Sequence, residues 1–177
     1  GPACRALAER LDALLATTLP ARGLFHDDPY SLNVAGGFSH EVARACFAEA
    51  DLVIAVGCSL AHHNADGGKL WPTAQVLQID LDPVAISQGR VAAGAHLRGD
   101  ARLAVEALCG PVAPRPPDSR RAQLAARIAG ARPDRTVFPP EPGVPDPRHL
   151  VAALDAALPP AWGLVNSSGH CPVYAEH

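Results

Sequence analysis

The sequence predicts an α/β protein with a Rossmann-like parallel sheet and helices on both faces, and two hydrophobic runs carry this prediction. Residues 50–60 read ADLVIAVGCSL, and residues 75–83 read QVLQIDLDP. Each run is short, rich in Val, Ile and Leu, and followed by residues suited to a turn. This pattern is typical of parallel strands that are buried on both faces.

Composition limits the classes of protein to which the chain can belong. Its 177 residues, of which 48% are hydrophobic, suffice for the core of one ordinary domain. A net charge of −3 provides no basic surface for nucleic acid or for an anionic membrane, so small metabolites are the expected partners. The five cysteines form no CxxC pair, which indicates a reducing compartment. Because the sequence shows neither a membrane span nor a signal peptide, we expect a cytoplasmic protein.

The first half of the chain reads as alternating helices and strands. We predict an amphipathic helix over residues 3–14, a short strand over 15–18 and an irregular loop over 20–37. Ser39 is the expected cap of the next helix. The buried stripe of that helix would comprise Val42, Ala43, Cys46 and Phe47.

The two hydrophobic runs supply strands over residues 52–56 and 76–79, joined by a crossover through residues 58–71. Asp82 and Pro83 are expected to start a short helix through Val84 and Ile86. A strand over 95–97 and a helix over 101–109, capped by Asp100, would follow. The residues predicted to face inward on that helix are Leu103, Ala104, Ala107 and Leu108.

Proline marks the change to a different kind of segment. Ten of the 18 prolines lie between Pro111 and Pro147, which predicts a stiff linker. One helix is expected within it, over residues 118–128. Asp146 and Pro147 would then open a helix through Leu158, followed by a strand over residues 162–165 that begins a second domain.

Gly57 and Asp80 are the first candidates for a binding site, because each ends one of the hydrophobic runs. Their spacing is close to the roughly 20 residues that separate a glycine turn from a ribose-binding carboxylate in nucleotide-binding βαβ units. A purely structural role for Gly57 as a turn residue is the competing interpretation. Asp82 and Asp100 are likewise explained as helix caps. The adjacent His62 and His63 are interpreted as a solvated pair rather than as metal ligands.

Five segments in this order resemble the central domain of thiamine-diphosphate-dependent enzymes of the acetolactate synthase and benzoylformate decarboxylase group. The segments are TTLPARGLFHDDP, NVAGGFS, ADLVIAVGCSL, QVLQIDLDP and LRGDA. The resemblance covers residues 1–110. The segment DPRHLVAALDAALPPAWGLVNSSGHCPVYAEH resembles the opening of the family's third domain, which binds thiamine diphosphate.

The resemblance implies a division of the chain into three parts. Residues 1–110 would form the central domain without its first strand, 111–145 the linker with one helix, and 146–177 the start of the coenzyme-binding domain. The chain contains no methionine and opens with GPACRALAERL, which also suggests a piece of a longer protein. The family's catalytic glutamate and its magnesium and diphosphate motif would lie outside this chain, so we expect no catalytic residue and no metal ligand in it.

The resemblance also maps two sets of residues to cofactor positions. Gly169 and His170 would lie near the thiamine diphosphate. The central domain of this family holds FAD in some members, ADP in others and nothing in many. The sequence AHHNADGG stands where the flavin binders have an Arg and acidic cluster, which disfavours tightly bound FAD. The residues that match the family's crevice positions are Gly57, Ser59, Leu60, Asp80, Asp82, Gly99 and Asp100.

We therefore expect a fragment of a thiamine-diphosphate and Mg-dependent lyase or transferase that decarboxylates or ligates 2-keto acids, inactive by itself. The complete enzyme would be a homodimer or homotetramer that takes a small 2-keto acid. The alternatives are a standalone Rossmann-type nucleotide-binding module and a structural module with an empty crevice.

Overall fold

The computed structural model describes residues 1–83, 86–87, 90–116, 118–131 and 142–162. The chain divides into two compact units, Gly1–Ala131 and Arg132–His177. The first unit begins with α1 (Pro2–Leu11), β1 (Leu15–Thr17), β2 (Ser31–Val34), α2 (Glu41–Ala48) and β3 (Leu52–Val56). It continues with α3 (His62–Ala65), β4 (Gln75–Asp80), β5 (Ile86–Ser87), β6 (Arg90–Val91), β7 (Ala95–Arg98), α4 (Ala101–Cys109) and α5 (Ser119–Gly130). The described part of the second unit contains α6 (Pro147–Ala157).

The strands form parallel sheets, which confirms the predicted fold class. β3, β4 and β7 are neighbours in that order, and both of their pairings are parallel. β1 pairs with β2, also in parallel. The short β5 and β6 form a separate antiparallel pair.

Helices cover both faces of the β3–β4–β7 sheet. On one face, Leu7 of α1 and Val105 of α4 pack with Ile79 of β4. On the other face, Phe47 of α2 packs with Ala55 of β3 in the larger core cluster. This double coverage explains why β3 is apolar at every position and why β4 carries Val76, Leu77 and Ile79.

Residues 20–37 are more regular than the predicted loop. A 3-10 helix, Leu19–Ala21, overlaps their start, and the strand β2 lies near their end. β2 has the sequence SLNV, and Asn33 within it has a positive φ of 57° where the register with β1 shifts. Because two of its four residues are polar and its backbone is irregular, the hydrophobic pattern does not predict this strand. Ser31 and Leu32 are nevertheless buried.

The cap of α2 is His40, not Ser39 as predicted. The His40 Nδ1 accepts a hydrogen bond from the Ala43 amide at 3.2 Å. The Ser39 hydroxyl instead donates to the Gly36 carbonyl at 2.8 Å. Ser39 therefore stabilises the turn before α2, and the ring nitrogen of His40 caps the helix.

Two further predictions are wrong in detail. The helix expected after Asp82 and Pro83 does not extend through Ile86, because residues 86–87 pair as β5 with β6. On α4, Leu103 is 55% exposed and Ala107 is also exposed, contrary to the prediction, whereas Val105 is fully buried. The buried stripe of α4 includes Ala104 and Leu108 as predicted but turns toward Val105, since that face meets α1 and the sheet.

The helix predicted within the proline-rich segment is present as α5, inside the first unit. Leu124 and Ile128 contact the larger core cluster. The Arg121 guanidinium lies 3.2 Å from the Asp12 carboxylate and 3.6 Å from the Tyr30 ring centroid. The division at residues 110 and 145 stays a prediction.

In the second unit, the predicted helix after Asp146 is confirmed as α6, with Asp146 accepting the Arg148 amide at 2.9 Å. The strand expected over residues 162–165 lies, except for Trp162, outside the described residues. Among the described residues, no helix combines the length and the apolar character that crossing a bilayer requires.

Candidate functional site

The candidate site is the edge of the sheet at which β3, β4 and β7 end. The Gly57 amide donates to the Ile79 carbonyl at 2.8 Å, and the Gly99 amide donates to the Asp80 carbonyl at 2.9 Å. These bonds continue the parallel ladders by one residue and place Gly57, Asp80 and Gly99 side by side. Because ligands of open α/β sheets bind at the carboxyl ends of strands, this crevice is the expected location for a ligand.

Gly57 makes the sharp turn by which the chain leaves β3. Its φ is 59°, in the left-handed region that glycine adopts most easily. Leu60, three residues on, also has a positive φ of 52° and is 1% exposed. Its side chain therefore belongs to the core. Ser59 is exposed, and its Oγ accepts a hydrogen bond from the Asn64 side chain at 3.2 Å.

The carboxylates of the crevice are engaged with the backbone. An Asp80 oxygen accepts the Asp82 amide at 3.1 Å, which stabilises the turn after β4. Asp100 accepts the Leu103 amide at 2.9 Å and thus caps α4, as predicted. The Arg98 side chain donates to the Leu81 carbonyl at 2.9 Å. Two carboxylates near one sheet edge, those of Asp80 and Asp100, suit the hydroxyl groups of a ligand better than its phosphates.

Gln78 is the crevice residue that sequence reasoning missed. It is fully buried, its amide group donates to the Cys58 carbonyl at 2.9 Å, and its Oε1 lies 3.2 Å from the His96 Nδ1. The sequence feature that could have revealed it is a glutamine inside the hydrophobic run VLQID, which predicts a buried strand. A buried amide needs partners, so Gln78 ties the loop after β3 to the middle of the sheet.

The Cys58 thiol is a structural group of that loop. Its sulfur accepts hydrogen bonds from the Leu60 amide at 3.5 Å and from the Asn64 side chain at 3.7 Å. Burial raises the pKa of the Cys58 thiol above its ordinary value. A thiol held in its neutral form is a poor nucleophile, so the geometry gives Cys58 a packing role.

His62 and His63 are exposed residues of α3, and their ring centroids lie 5.6 Å apart. Within the described ranges, no group of three or more His, Cys, Asp or Glu side chains could hold a metal ion. Gly169 and His170, the residues expected near thiamine diphosphate, lie outside those ranges. The role of the seven crevice residues in cofactor binding stays a prediction.

Comparison with known proteins places this fold in a family. The family model for the thiamine pyrophosphate enzyme central domain matches residues 1–108. The chain belongs to this family. The thiamine pyrophosphate enzyme domain is also similar to a protein of Pseudomonas aeruginosa named "Probable 2-ketoarginine decarboxylase AruI", at 36% identity over 132 residues. That alignment covers 75% of this chain and 23% of the relative, so the chain spans about a quarter of the length of the curated relative.

Proposed function

We propose that this thiamine pyrophosphate enzyme domain is part of a longer enzyme that decarboxylates a 2-keto acid with thiamine diphosphate and Mg²⁺. The observation that carries the proposal is the family match over residues 1–108. The similarity to a 2-ketoarginine decarboxylase favours decarboxylation over carboligation. Under this proposal, residues 1–110 are the central domain, 111–145 the linker and 146–177 the start of the coenzyme-binding domain.

The described residues of this chain would act as a scaffold. When bound, thiamine diphosphate supplies a nucleophilic carbon and an electron sink. We assign its binding to the longer polypeptide, with Gly169 and His170 as the contribution of this chain. The 177-residue chain alone would therefore be inactive, and the complete enzyme would be a homodimer or homotetramer.

The test uses the polypeptide encoded by the uninterrupted reading frame that contains this chain. It is purified with thiamine diphosphate and Mg²⁺, and CO2 release is measured with 2-ketoarginine, benzoylformate and pyruvate. We expect release from at least one 2-keto acid, with 2-ketoarginine the first candidate, and no release by the 177-residue chain alone. Acetolactate formation from pyruvate would instead establish carboligation. A reading frame limited to this chain, or no turnover of any 2-keto acid, would contradict the proposal.

A second candidate function is nucleotide binding in the crevice beside Gly57, Asp80 and Gly99. The supporting observation is that these three residues lie together where the strands end, with the start of α4 beside them. The carboxylates favour ADP-like ligands held through ribose hydroxyls, and tightly bound FAD is not favoured. A standalone module of this kind would bind a nucleotide without any other domain.

Calorimetry of the 177-residue chain with ADP, FAD and NAD tests this second candidate. A side chain built at Gly99 meets no atom within 4 Å, so Gly99→Val should fold while obstructing the crevice. Gly130→Ala, at the end of α5 and equally free of contacts, is the matched control. Binding that Gly99→Val abolishes and Gly130→Ala retains would support the crevice. If none of the three nucleotides gives a binding heat, nucleotide binding is ruled out and only the scaffold function remains.

A further inference from the structure

The outer side of α4 carries two apolar residues that lie at the surface. Leu103 is 55% exposed, and Ala107, one helical turn further on, is also exposed. Two residues that are four positions apart lie one above the other on the same side of a helix. The opposite side of α4, where Val105 is fully buried, packs on α1 and on β4. The apolar surface of α4 thus continues around the helix onto the side that faces solvent.

Two opposite charges lie beside these apolar residues. Arg102 and Glu106 have the same four-residue spacing, and their side chains form an ion pair at 3.5 Å within the helix. The two side chains are 72% and 49% exposed, so this pair stabilises α4 only slightly. The solvent-facing side of α4 therefore has two parallel rows. One row is apolar, and in the other a positive charge precedes a negative charge.

The face of the sheet on which α4 lies has a further exposed leucine. In the ladder between β4 and β7, Leu97 is the register partner of Ile79. Register partners point to the same face of a sheet, so Leu97 shares the face on which Ile79 packs with Val105 of α4. Leu97 is nevertheless 38% exposed. A single exposed leucine is common on protein surfaces, but here Leu97 and Leu103 extend one apolar surface from β7 to α4.

The two rows on α4 are complementary to themselves under a two-fold rotation. When two copies of α4 lie side by side and antiparallel, the rotation keeps each row on its own side and reverses its direction. Arg102 of each copy then lies opposite Glu106 of the other copy, and Leu103 lies opposite Ala107. A large side chain against a small one allows the two helices to pack closely, because the side chains interdigitate.

We propose that α4 is a self-association surface on which a second copy of this chain docks by antiparallel two-fold packing. The order of charges favours this partner, because Arg102 and Glu106 of one copy find their counterions on the other copy. α4 has nine residues and is about 13 Å long, so the contact is smaller than the roughly 800 Å² per partner of a standard stable interface. We therefore expect a dissociation constant of about 10 to 100 μM.

The test measures the oligomeric state of the 177-residue chain by analytical ultracentrifugation at concentrations from about 5 to about 500 μM. Arg102→Glu and Glu106→Arg are prepared as separate variants, as the double variant and as an equimolar mixture of the two single variants. Each single variant places like charges opposite each other across the two-fold axis. The mixture combines a chain that has two glutamates with a chain that has two arginines, so opposite charges face each other again.

We expect the parent chain and the double variant to dimerise, and each single variant to have a dissociation constant at least about tenfold higher. The mixture should form a one-to-one dimer with a dissociation constant within about threefold of the parent's. An ion pair that acts only within its own helix cannot produce this rescue, because mixing changes no contact within a helix. A parent chain that stays monomeric, a dimer that Arg102→Glu leaves intact, or a mixture no tighter than its two components would each overturn the proposal.

Leu103→Ser tests the apolar row of α4. Leu150→Ser on α6 is the matched control, because Leu150 is 56% exposed, close to the value for Leu103. We expect Leu103→Ser to raise the dissociation constant at least about tenfold and Leu150→Ser to leave it unchanged. Equal effects of the two variants would overturn the proposal. The proposal rests on the surface of α4 and not on the proposed enzymatic activity, so its failure would leave the decarboxylase proposal unaffected.

Discussion

The amide group of Gln78 donates a hydrogen bond to the carbonyl of Cys58 at 2.9 Å, from a position that is fully buried between neighbouring strands. This bond joins the centre of the sheet to the loop that borders the crevice. The turn at Gly57 thus has support from inside the sheet in addition to the ladder bond to Ile79.

Replacing this buried amide should loosen the crevice loop. Gln78→Leu preserves the side-chain size but leaves the Cys58 carbonyl without its buried donor. We expect a loss of about 2 kcal/mol in the free energy of unfolding. Urea denaturation measures it, with Gln75→Leu, an exposed glutamine on the same strand, as control. A Gln78→Leu variant as stable as the control would show that the bond adds nothing.

Gly36 should not tolerate any side chain. Its φ is 101°, and a Cβ built there would lie 1.8 Å from the His63 carbonyl oxygen. Gly36→Ala should therefore force apart the loop after β2 and α3, and we expect a loss of at least about 2 kcal/mol in stability. Gly37→Ala is the matched control, because a Cβ there meets no atom within 4 Å. Thermal unfolding of both variants should show a large shift for the first alone.

The ion pair between Arg121 of α5 and Asp12 should contribute far more to stability than the exposed pair between Arg120 and Glu49. Arg121 and Asp12 have side chains 15% and 12% exposed, and Arg121 also stacks on Tyr30. We expect Arg121→Ala to cost about 2 kcal/mol. Arg120→Ala breaks a pair with Glu49 in which both partners are more than half exposed, so it should cost less than about 1 kcal/mol. Equal losses in chemical denaturation would contradict this difference.

The His40 cap should make α2 sensitive to pH. Burial lowers the pKa of the His40 ring below its ordinary 6.5, so the unfolded chain takes up the proton first as the pH falls. The stability from His40 is therefore complete above about pH 6.5 and is lost progressively below it. Protonation also removes the lone pair that accepts the Ala43 amide.

Two substitutions separate capping from titration. His40→Asn keeps a capping side chain without a titrating group, so its stability should fall less between pH 8 and pH 5 than that of the parent chain. His40→Ala should lose about 1 kcal/mol at pH 8. His26→Asn, at an exposed ring, is the control. If the stability of His40→Asn depends on pH as strongly as that of the parent chain, a group other than His40 causes the pH dependence.

The sequence by itself determined the fold class and the positions of the central elements. β3 at Leu52–Val56 and α4 at Ala101–Cys109 lie where the pattern predicts them, and Asp100 and Asp146 cap their helices as expected. These features depend on local chemistry: a parallel strand buried on both faces is mostly apolar, and an N-cap position favours a short polar side chain. The same sequence pattern predicted that Gly57 and Asp80 lie at neighbouring strand ends, because each follows or ends one of the two hydrophobic runs.

Tertiary structure decided what depends on neighbours distant in the chain. β2 forms because β1 offers it an edge, although its own sequence is polar and irregular. Gln78 is buried because Cys58 and His96 satisfy its amide group, and Val105 faces inward because α4 packs on α1. A hydrogen-bond partner or a packing face exists only when the chain has folded, so local sequence preferences could not specify these contacts.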